Sequence, residues 1–167
     1  MTRIMGQPHE LKVVNVRLVK EPSLYSEYPI RTPQDVMKVV AEELSQYDRE
    51  VFAILNLKNN GQVINMNICS VGTINASLVA PREVMKSCIL SNASCFLALH
   101  VHPSGNPEPS EEDKDVTEKL QRCGELMEIR MLDHIIIGSG TGEMFSFKAN
   151  GLMDRIRDRS DMEINER

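Results

Sequence analysis

Apolar positions follow two different periods along the chain, and these periods separate the predicted strands from the predicted helices. Over residues 12–19 apolar and polar residues alternate, which predicts a half-buried strand. Residues 51–57 and 62–69 are apolar runs on either side of an Asn-Asn-Gly turn, the pattern of a β-hairpin. Residues 95–101 form an almost continuous apolar run, as in a central strand that is covered on both faces. These four segments supply most of a predicted sheet.

The helical period, with apolar residues three and four positions apart, occurs in three segments. The first helix is expected to begin at Pro33, with Thr32 as its N-cap and Asp35 completing a capping box. The second begins at Pro81, and the third begins near Ser110 after a loop rich in proline and glycine. The predicted buried stripes are Val36, Val39, Val40 and Leu44 in the first helix, Val84, Met85, Cys88 and Ile89 in the second, and Val116, Leu120, Cys123 and Met127 in the third.

The order of these segments indicates the fold class. A further strand is predicted over residues 129–137, and a glycine-rich turn joins it to the segment MFSFK, residues 144–148. Strands and helices thus interleave, while hairpins occur towards both ends of the order. We therefore predict an α/β fold in which a mixed β-sheet carries helices on its faces. The dense mixture of both charges over residues 154–167 predicts a solvated helix or a frayed tail.

Composition narrows the class of protein further. The chain has 167 residues, 41% hydrophobic and 26% charged, which fits one ordinary domain with a core. Because no apolar run approaches the roughly 18–20 residues that cross a membrane, and no secretory signal begins the chain, we expect a cytoplasmic protein without membrane contact. The net charge of -5 offers no long-range attraction to nucleic acid. No CxxC pair is present, so Cys69, Cys88, Cys95 and Cys123 are expected to be reduced, buried hydrophobic residues.

One short stretch carries residues suited to metal chemistry. His100 and His102 are two apart on a predicted strand, so their imidazoles face the same side of the sheet. Ser110 and Asp113 are three apart at a helix start and share a helix face. If the intervening loop folds back, two imidazoles and a carboxylate converge, which is a ligand set for catalytic zinc with one position left for water. Hydrolysis by such water also needs a base and an oxyanion donor, for which Glu50 and Ser110 are the candidates.

Each part of this pattern also has a purely structural interpretation. Ser110 and Asp113 are the sequence of a helix capping box, and the two histidines could be ordinary strand residues. A cap and a metal ligand are compatible, because Ser110 can cap the helix while Asp113 turns to a metal. Two histidines and one carboxylate can also hold ferrous iron. His134 lies on another predicted strand, and we interpret it as a packed or supporting histidine in preference to a metal ligand.

The stretch HVHPSGNPEPSEED resembles the JAMM pattern of the JAB/MPN+ metalloproteases, in which an upstream glutamate precedes H-x-H, seven residues and S-x-x-D. More narrowly it resembles the RadC group, from about Glu50 to Met153, through INASLVAPREVMKSCILSNAS before the histidines and LDHIIIG and SFKANGL after them. Val101 stands where this group usually has asparagine. The resemblance implies a single JAB/MPN-like domain over residues 46–153. Residues 1–45 would be a strand and helix integral to that domain or packed on it, in a short form without a helix-hairpin-helix region.

The resemblance also implies a function, that of a zinc-dependent hydrolase with one Zn²⁺ per chain. His100, His102 and Asp113 would be the zinc ligands. Glu50 corresponds to the family's general acid/base, and Ser110 to the serine that helps to stabilise the oxyanion. The implied reaction is amide or isopeptide cleavage in a peptide or protein conjugate, and a homodimer is left open. Two alternatives also stay open: DNA repair or processing, which the net negative charge disfavours, and a non-catalytic metal-binding interaction module.

Overall fold

Helices and strands interleave in the computed structural model, which describes residues 28–44, 47–72 and 79–156. The helices are α1 (Pro33–Leu44), α2 (Pro81–Leu90) and α3 (Glu111–Leu126), and the strands are β1 (Val51–Leu57), β2 (Val63–Val71), β3 (Cys95–His102), β4 (Arg130–Gly138) and β5 (Met144–Ser146). The predicted strand at 12–19 and most of the predicted tail, residues 157–167, lie outside the described residues. Within the described ranges, no helix is long and apolar enough to cross a membrane.

A five-stranded sheet organises these elements, in the order β2-β1-β3-β4-β5. Strand β1 pairs antiparallel with both β2 and β3, β4 runs parallel to β3, and β5 returns antiparallel along β4. The parallel β3–β4 pair requires a crossover connection, and α3 provides it. The sheet is therefore mixed, and the predicted α/β fold with helices on the faces of a mixed sheet is confirmed.

Local signals in the sequence account for the start of α1 and for the first hairpin. The Asp35 carboxylate accepts a hydrogen bond from the Thr32 backbone N–H at 3.0 Å, and the Asp35 N–H donates to the Thr32 hydroxyl at 3.2 Å, which is the predicted capping box. Between β1 and β2, Gly61 has a φ of +84°, which residues with a side chain rarely adopt. A Cβ at Gly61 would also lie 2.6 Å from the Ile30 carbonyl oxygen, so this turn packs directly against the segment that enters α1.

The two faces of the sheet form two separate hydrophobic cores. Leu99 and Val101 of β3 lie in the core under α1. Phe96 and Ala98, which alternate with them, lie in the core under α2 and α3. A helical turn at 152–156 packs on this second core. Alternation along β3 therefore places every even-numbered side chain of that strand, including the two histidines, on the α2 and α3 face.

Two residues of the predicted buried stripes of α2 and α3 are exposed, and Val116 of α3 is only partly buried. Ile89 was expected to be buried but is 48% exposed, because it lies about 100° around the helix from the buried Cys88 and faces away from the sheet. Met127 was also expected to be buried but is 43% exposed, because α3 ends one residue earlier. The buried face of α3 instead includes Thr117 and Gly124. The backbone leading into β4 comes so close to Gly124 that a Cβ would lie 2.6 Å from a carbonyl oxygen.

The four cysteines carry free thiols. Cys88 and Cys95 are buried, as predicted. Cys69 and Cys123 were expected to be buried but are only partly so, because they sit at the margin of the α2 and α3 core and contact it from one side.

Candidate metal centre

Two histidines lie side by side at the carboxyl end of β3. His100 and His102 share one face of the strand, with ring centroids 4.6 Å apart, while Val101 between them enters the opposite core. Strand β1 places Phe52 opposite His100, and the two rings pack with their centroids 5.7 Å apart. The histidine side chains are only 11% and 13% exposed. The sheet thus holds both imidazoles in a largely buried position at the carboxyl end of its middle strand.

Asp113 reaches this histidine pair from the first turn of α3. Its Oδ2 accepts hydrogen bonds from the Ser110 backbone N–H at 2.8 Å and the Ser110 hydroxyl at 2.6 Å, and its own N–H donates to that hydroxyl at 3.1 Å. The other carboxylate oxygen, Oδ1, lies 2.6 Å from His100 Nδ1. Oδ2 lies 3.5 Å from His102 Nε2. Asp113 therefore completes a capping box and faces both histidines at once, so the two interpretations of S-x-x-D are compatible in this fold.

Glu50 reaches the same place from the residue before β1. Because β1 and β3 are antiparallel, with Val51 opposite Val101, the start of β1 lies beside the end of β3. Glu50 Oε2 lies 2.5 Å from His100 Nε2, and its side chain is 16% exposed. The register of the sheet thus unites two segments that are far apart in the sequence, and it supplies the centre with a second carboxylate.

His100 lies between these two carboxylates. Each of its ring nitrogens faces a carboxylate oxygen, an arrangement that favours the protonated imidazole when no metal is bound. Burial alone would lower the pKa of His100, but the hydrogen bonds to Asp113 and Glu50 outweigh it and raise the pKa to about 9. For Asp113, burial acts to raise the pKa, yet the bonds to His100, His102 and Ser110 hold it well below its ordinary value. In the metal-free protein these contacts stabilise the protonated form of His100.

The loop after β3 orients His102. Its Nδ1 lies 2.9 Å from the Asn106 carbonyl oxygen, which can only accept, so Nδ1 is the donor. The neutral ring then carries its lone pair on Nε2, the atom that faces Asp113. Burial acts to lower the pKa of His102, and the bonds to Asp113 and the Asn106 carbonyl outweigh it and raise the pKa. A backbone acceptor that fixes the tautomer in this way is the usual arrangement behind a metal-binding histidine.

The glycine-rich loop after β4 supports the loop that holds His102. The Ser139 N–H donates to the His102 carbonyl at 3.0 Å. The Thr141 hydroxyl donates to the Gly105 carbonyl at 3.2 Å. A Cβ at Gly138 would lie only 2.2 Å from the Gly105 carbonyl oxygen, so the two loops touch backbone to backbone. Gly105 itself has a φ of +81°, which agrees with a role in shaping the loop.

The side chains at this centre offer imidazole nitrogen and carboxylate oxygen, which are donor types that zinc takes. Zinc takes imidazole nitrogen and carboxylate oxygen at about 2.0–2.2 Å, so two ligands of a tetrahedral ion lie roughly 3.3 Å apart. His102 Nε2 and Asp113 Oδ2 are 3.5 Å apart. Ligand atoms of Glu50, His100 and His102 lie within 4.8 Å of one another, and so do those of His100, Asp113 and His134. His100 belongs to both groups, because its two ring nitrogens face different partners, Asp113 at Nδ1 and Glu50 at Nε2.

His134 supports the centre from the neighbouring strand. It is fully buried, and its ring stacks on Phe147 with the centroids 4.7 Å apart. Its Nδ1 lies 2.7 Å from the Thr117 hydroxyl. Burial, with a smaller effect from the nearby His100 cation, lowers the pKa of His134 to about 3. Sequence reasoning did not single out Thr117, although it lies one helical turn after Asp113 and therefore on the same face of α3.

These features together define a JAB/MPN-type domain with a candidate metal centre: the sheet is mixed, one strand carries H-x-H, the next helix supplies a carboxylate, and a glutamate lies beside that strand. A family model of the RadC-like JAB domain matches residues 30–152. The chain belongs to this RadC-like JAB family.

Relatives within the family cover about three quarters of the chain. A UPF0758 protein of Desulfitobacterium hafniense is 42% identical over 124 residues, which are 74% of this chain and 54% of the relative. A UPF0758 protein of Clostridioides difficile is 43% identical over 123 residues, 74% of this chain and 52% of the relative. A UPF0758 protein of Halalkalibacterium halodurans is 45% identical over 114 residues, which are 68% of this chain and 49% of the relative. The chain thus spans about half the length of the curated relatives it matches.

Proposed function

We propose that this domain is a zinc-dependent hydrolase of JAMM type, which cleaves an amide or isopeptide bond in a peptide or a protein conjugate. The observation that supports the proposal is the convergence of two imidazoles and two carboxylates at one largely buried place. A structural zinc site is normally closed by four protein ligands, whereas three ligands and a separate base suit catalysis. His100, His102 and Asp113 are the proposed ligands, and Glu50 is left for proton transfer.

Zinc held by these three residues would act as a Lewis acid, which polarises a carbonyl group and lowers the pKa of bound water to about 7. The protein supplies the remaining parts of the reaction. Asn106 holds His102 in the tautomer whose Nε2 is free to bind. The capping box holds Asp113 by one carboxylate oxygen and leaves the other directed at His100. The ligands are therefore oriented by the fold before any substrate arrives.

Glu50 is the proposed general base. Its Oε2 lies 2.5 Å from His100 Nε2, and ligand atoms of Glu50, His100 and His102 lie within 4.8 Å of one another, so the carboxylate lies beside both proposed histidine ligands. In the proposed reaction Glu50 takes a proton from the attacking water and returns it to the leaving amine nitrogen. Its low exposure removes competing solvent from the carboxylate, which favours transfer to and from the substrate.

Ser110 is the proposed donor to the oxyanion that forms when the carbonyl carbon becomes tetrahedral. Its hydroxyl hydrogen points to Asp113 Oδ2, so donation to a substrate oxygen requires rotation about the Cβ–Oγ bond. Ser110→Ala separates the two functions of this residue. Loss of the cap should reduce the free energy of unfolding by about 1 kcal/mol, whereas loss of an oxyanion donor should reduce kcat by roughly 100-fold or more.

The proposal is tested by metal content and hydrolysis measured on the same preparations. Elemental analysis of protein purified without added zinc or chelator should give near one zinc per chain, and His102→Ala should lose the metal together with cleavage of a quenched-fluorescent peptide library. Glu50→Gln should keep the metal and lose cleavage. Glu112→Gln, on the exposed side of α3, is the matched control and should retain both. Zinc binding without any cleavage would favour a non-catalytic metal-binding module, and absence of zinc binding would refute the proposal.

A further inference from the structure

A chain of two hydrogen bonds connects β4 with the backbone of Asp113. The Thr117 hydroxyl donates to the Asp113 carbonyl oxygen at 2.6 Å, one helical turn back along α3. The same hydroxyl oxygen lies 2.7 Å from His134 Nδ1. Thr117 and His134 are both fully buried, so these bonds form away from solvent. The first turn of α3 is thereby attached to the strand beneath it.

The direction of each bond follows from counting hydrogens. A hydroxyl has one hydrogen, and that of Thr117 is given to the Asp113 carbonyl. At the second contact the hydroxyl oxygen must therefore accept, and His134 Nδ1–H must donate. His134 is a neutral imidazole, because burial lowers its pKa to about 3. Its single ring hydrogen is thus on Nδ1, and its Nε2 is a buried acceptor without a hydrogen-bond partner among the residues that the structure describes.

We propose that Thr117 and His134 are positioning residues that fix Asp113 in the geometry a metal requires. The inference rests on the proposed function, since it concerns the same centre. The carboxylate of Asp113 is already held by the cap at Oδ2 and by His100 at Oδ1. The freedom that remains is movement of the first turn of α3 as a whole, and the bond through Thr117 to β4 restrains that movement.

The expected size of the effect comes from known metal sites. Residues that orient a ligand without touching the metal typically change metal affinity by about 10- to 100-fold when they are replaced. Thr117→Val keeps the shape of the side chain and removes the hydroxyl, so it should weaken zinc binding by roughly that factor. Thr117→Ser keeps the hydroxyl and should bind zinc within about 3-fold of the original chain.

The experiment measures zinc affinity by competition with a chromophoric chelator, together with the free energy of unfolding of the zinc-free protein. Ser91→Ala is the matched control. It also removes a buried hydroxyl that makes hydrogen bonds, in this case with the side chains of Asn56 and Asn65, towards the end of β1 opposite to Glu50. If Thr117→Val weakens zinc binding while Ser91→Ala lowers stability and leaves zinc binding unchanged, the positioning role is supported. If both variants bind zinc as the original chain does, the role is refuted.

A second measurement tests the hydrogen bonds without any metal. Long-range ¹⁵N–¹H correlation spectra of the zinc-free protein should show His134 as the neutral tautomer with its hydrogen on Nδ1, and Thr117→Val should abolish this preference. A hydrogen on Nε2 in the original chain would overturn the proposed connection whatever the zinc result. A chain that shows the expected tautomer but takes up no zinc would refute the proposed hydrolase and, with it, the positioning role, while leaving the hydrogen bonds themselves established.

Discussion

The zinc-free protein should lose stability between pH 7 and pH 8.5 because of His100. The pKa of this histidine is about 9 in the folded protein, against about 6.5 in an unfolded chain, so the folded state holds an extra proton over this interval. Its contribution to the free energy of unfolding is complete below about pH 6.5 and is lost as the pH rises through 9. The low pKa of Asp113 arises from the same contact and is therefore not counted again.

Proton linkage gives the magnitude of this loss. For a group with these two pKa values the free energy of unfolding falls by roughly 2 kcal/mol between pH 7 and pH 8.5. Solvent screening reduces the value only slightly, because the His100 side chain is 11% exposed. Urea unfolding of chelator-treated protein, followed by circular dichroism at several pH values, measures the change directly.

The control for this prediction is His100→Asn, which removes the titrating imidazole. Between pH 7 and pH 8.5 the free energy of unfolding of this variant should fall by about 2 kcal/mol less than that of the original chain, which is the amount assigned to His100. Burial raises the pKa of the Cys69 and Cys88 thiols to about 12, so unfolding also becomes easier at alkaline pH through these groups. That effect is present in both proteins and cancels in the comparison. Equal pH slopes for the two proteins would refute the reasoning.

Three further predictions concern other parts of the molecule. Asp133→Ala should reduce the free energy of unfolding by about 2–4 kcal/mol in urea titrations, because two backbone N–H groups and a hydroxyl lose their buried acceptor. The Cys88 thiol, whose pKa burial raises to about 12, should react with iodoacetamide at pH 8 more than roughly 100-fold slower in the folded than in the urea-unfolded protein, as followed by mass spectrometry. Gly138→Ala should lower stability by about 2–3 kcal/mol through its contact with the Gly105 carbonyl, measured by thermal unfolding against the original chain.

The parts of the centre that could be predicted from the sequence are those determined by residues close together along the chain. Alternation along a strand is a local rule, and it suffices to place His100 and His102 on one face. The capping box is equally local, and it locates the start of α3 and the position of Asp113 within the first turn. The prediction required the loop between β3 and α3 to fold back, and the distances from Asp113 to His100 and His102 show that it does.

The contacts of the centre that could not be predicted from the sequence depend on how the strands pair and on how the helices pack on the sheet. Glu50 meets His100 only because β1 and β3 are antiparallel in one particular register, and family resemblance rather than periodicity pointed to this residue. Thr117 meets His134 only because α3 packs over β4. The exposure of Ile89 is a failure of another kind, since an apolar residue at the border of a helical stripe can face either way.

Asp113 joins the folding of α3 to the chemistry of the centre. One of its oxygens belongs to the capping box, and the other holds the proton shared with His100. Two hydrophobic cores fix β3, which carries His100 and His102, and β1, which Glu50 directly precedes. The positions of these side chains therefore follow from strand pairing, core packing and the helix cap, which are the same interactions that determine the rest of the fold.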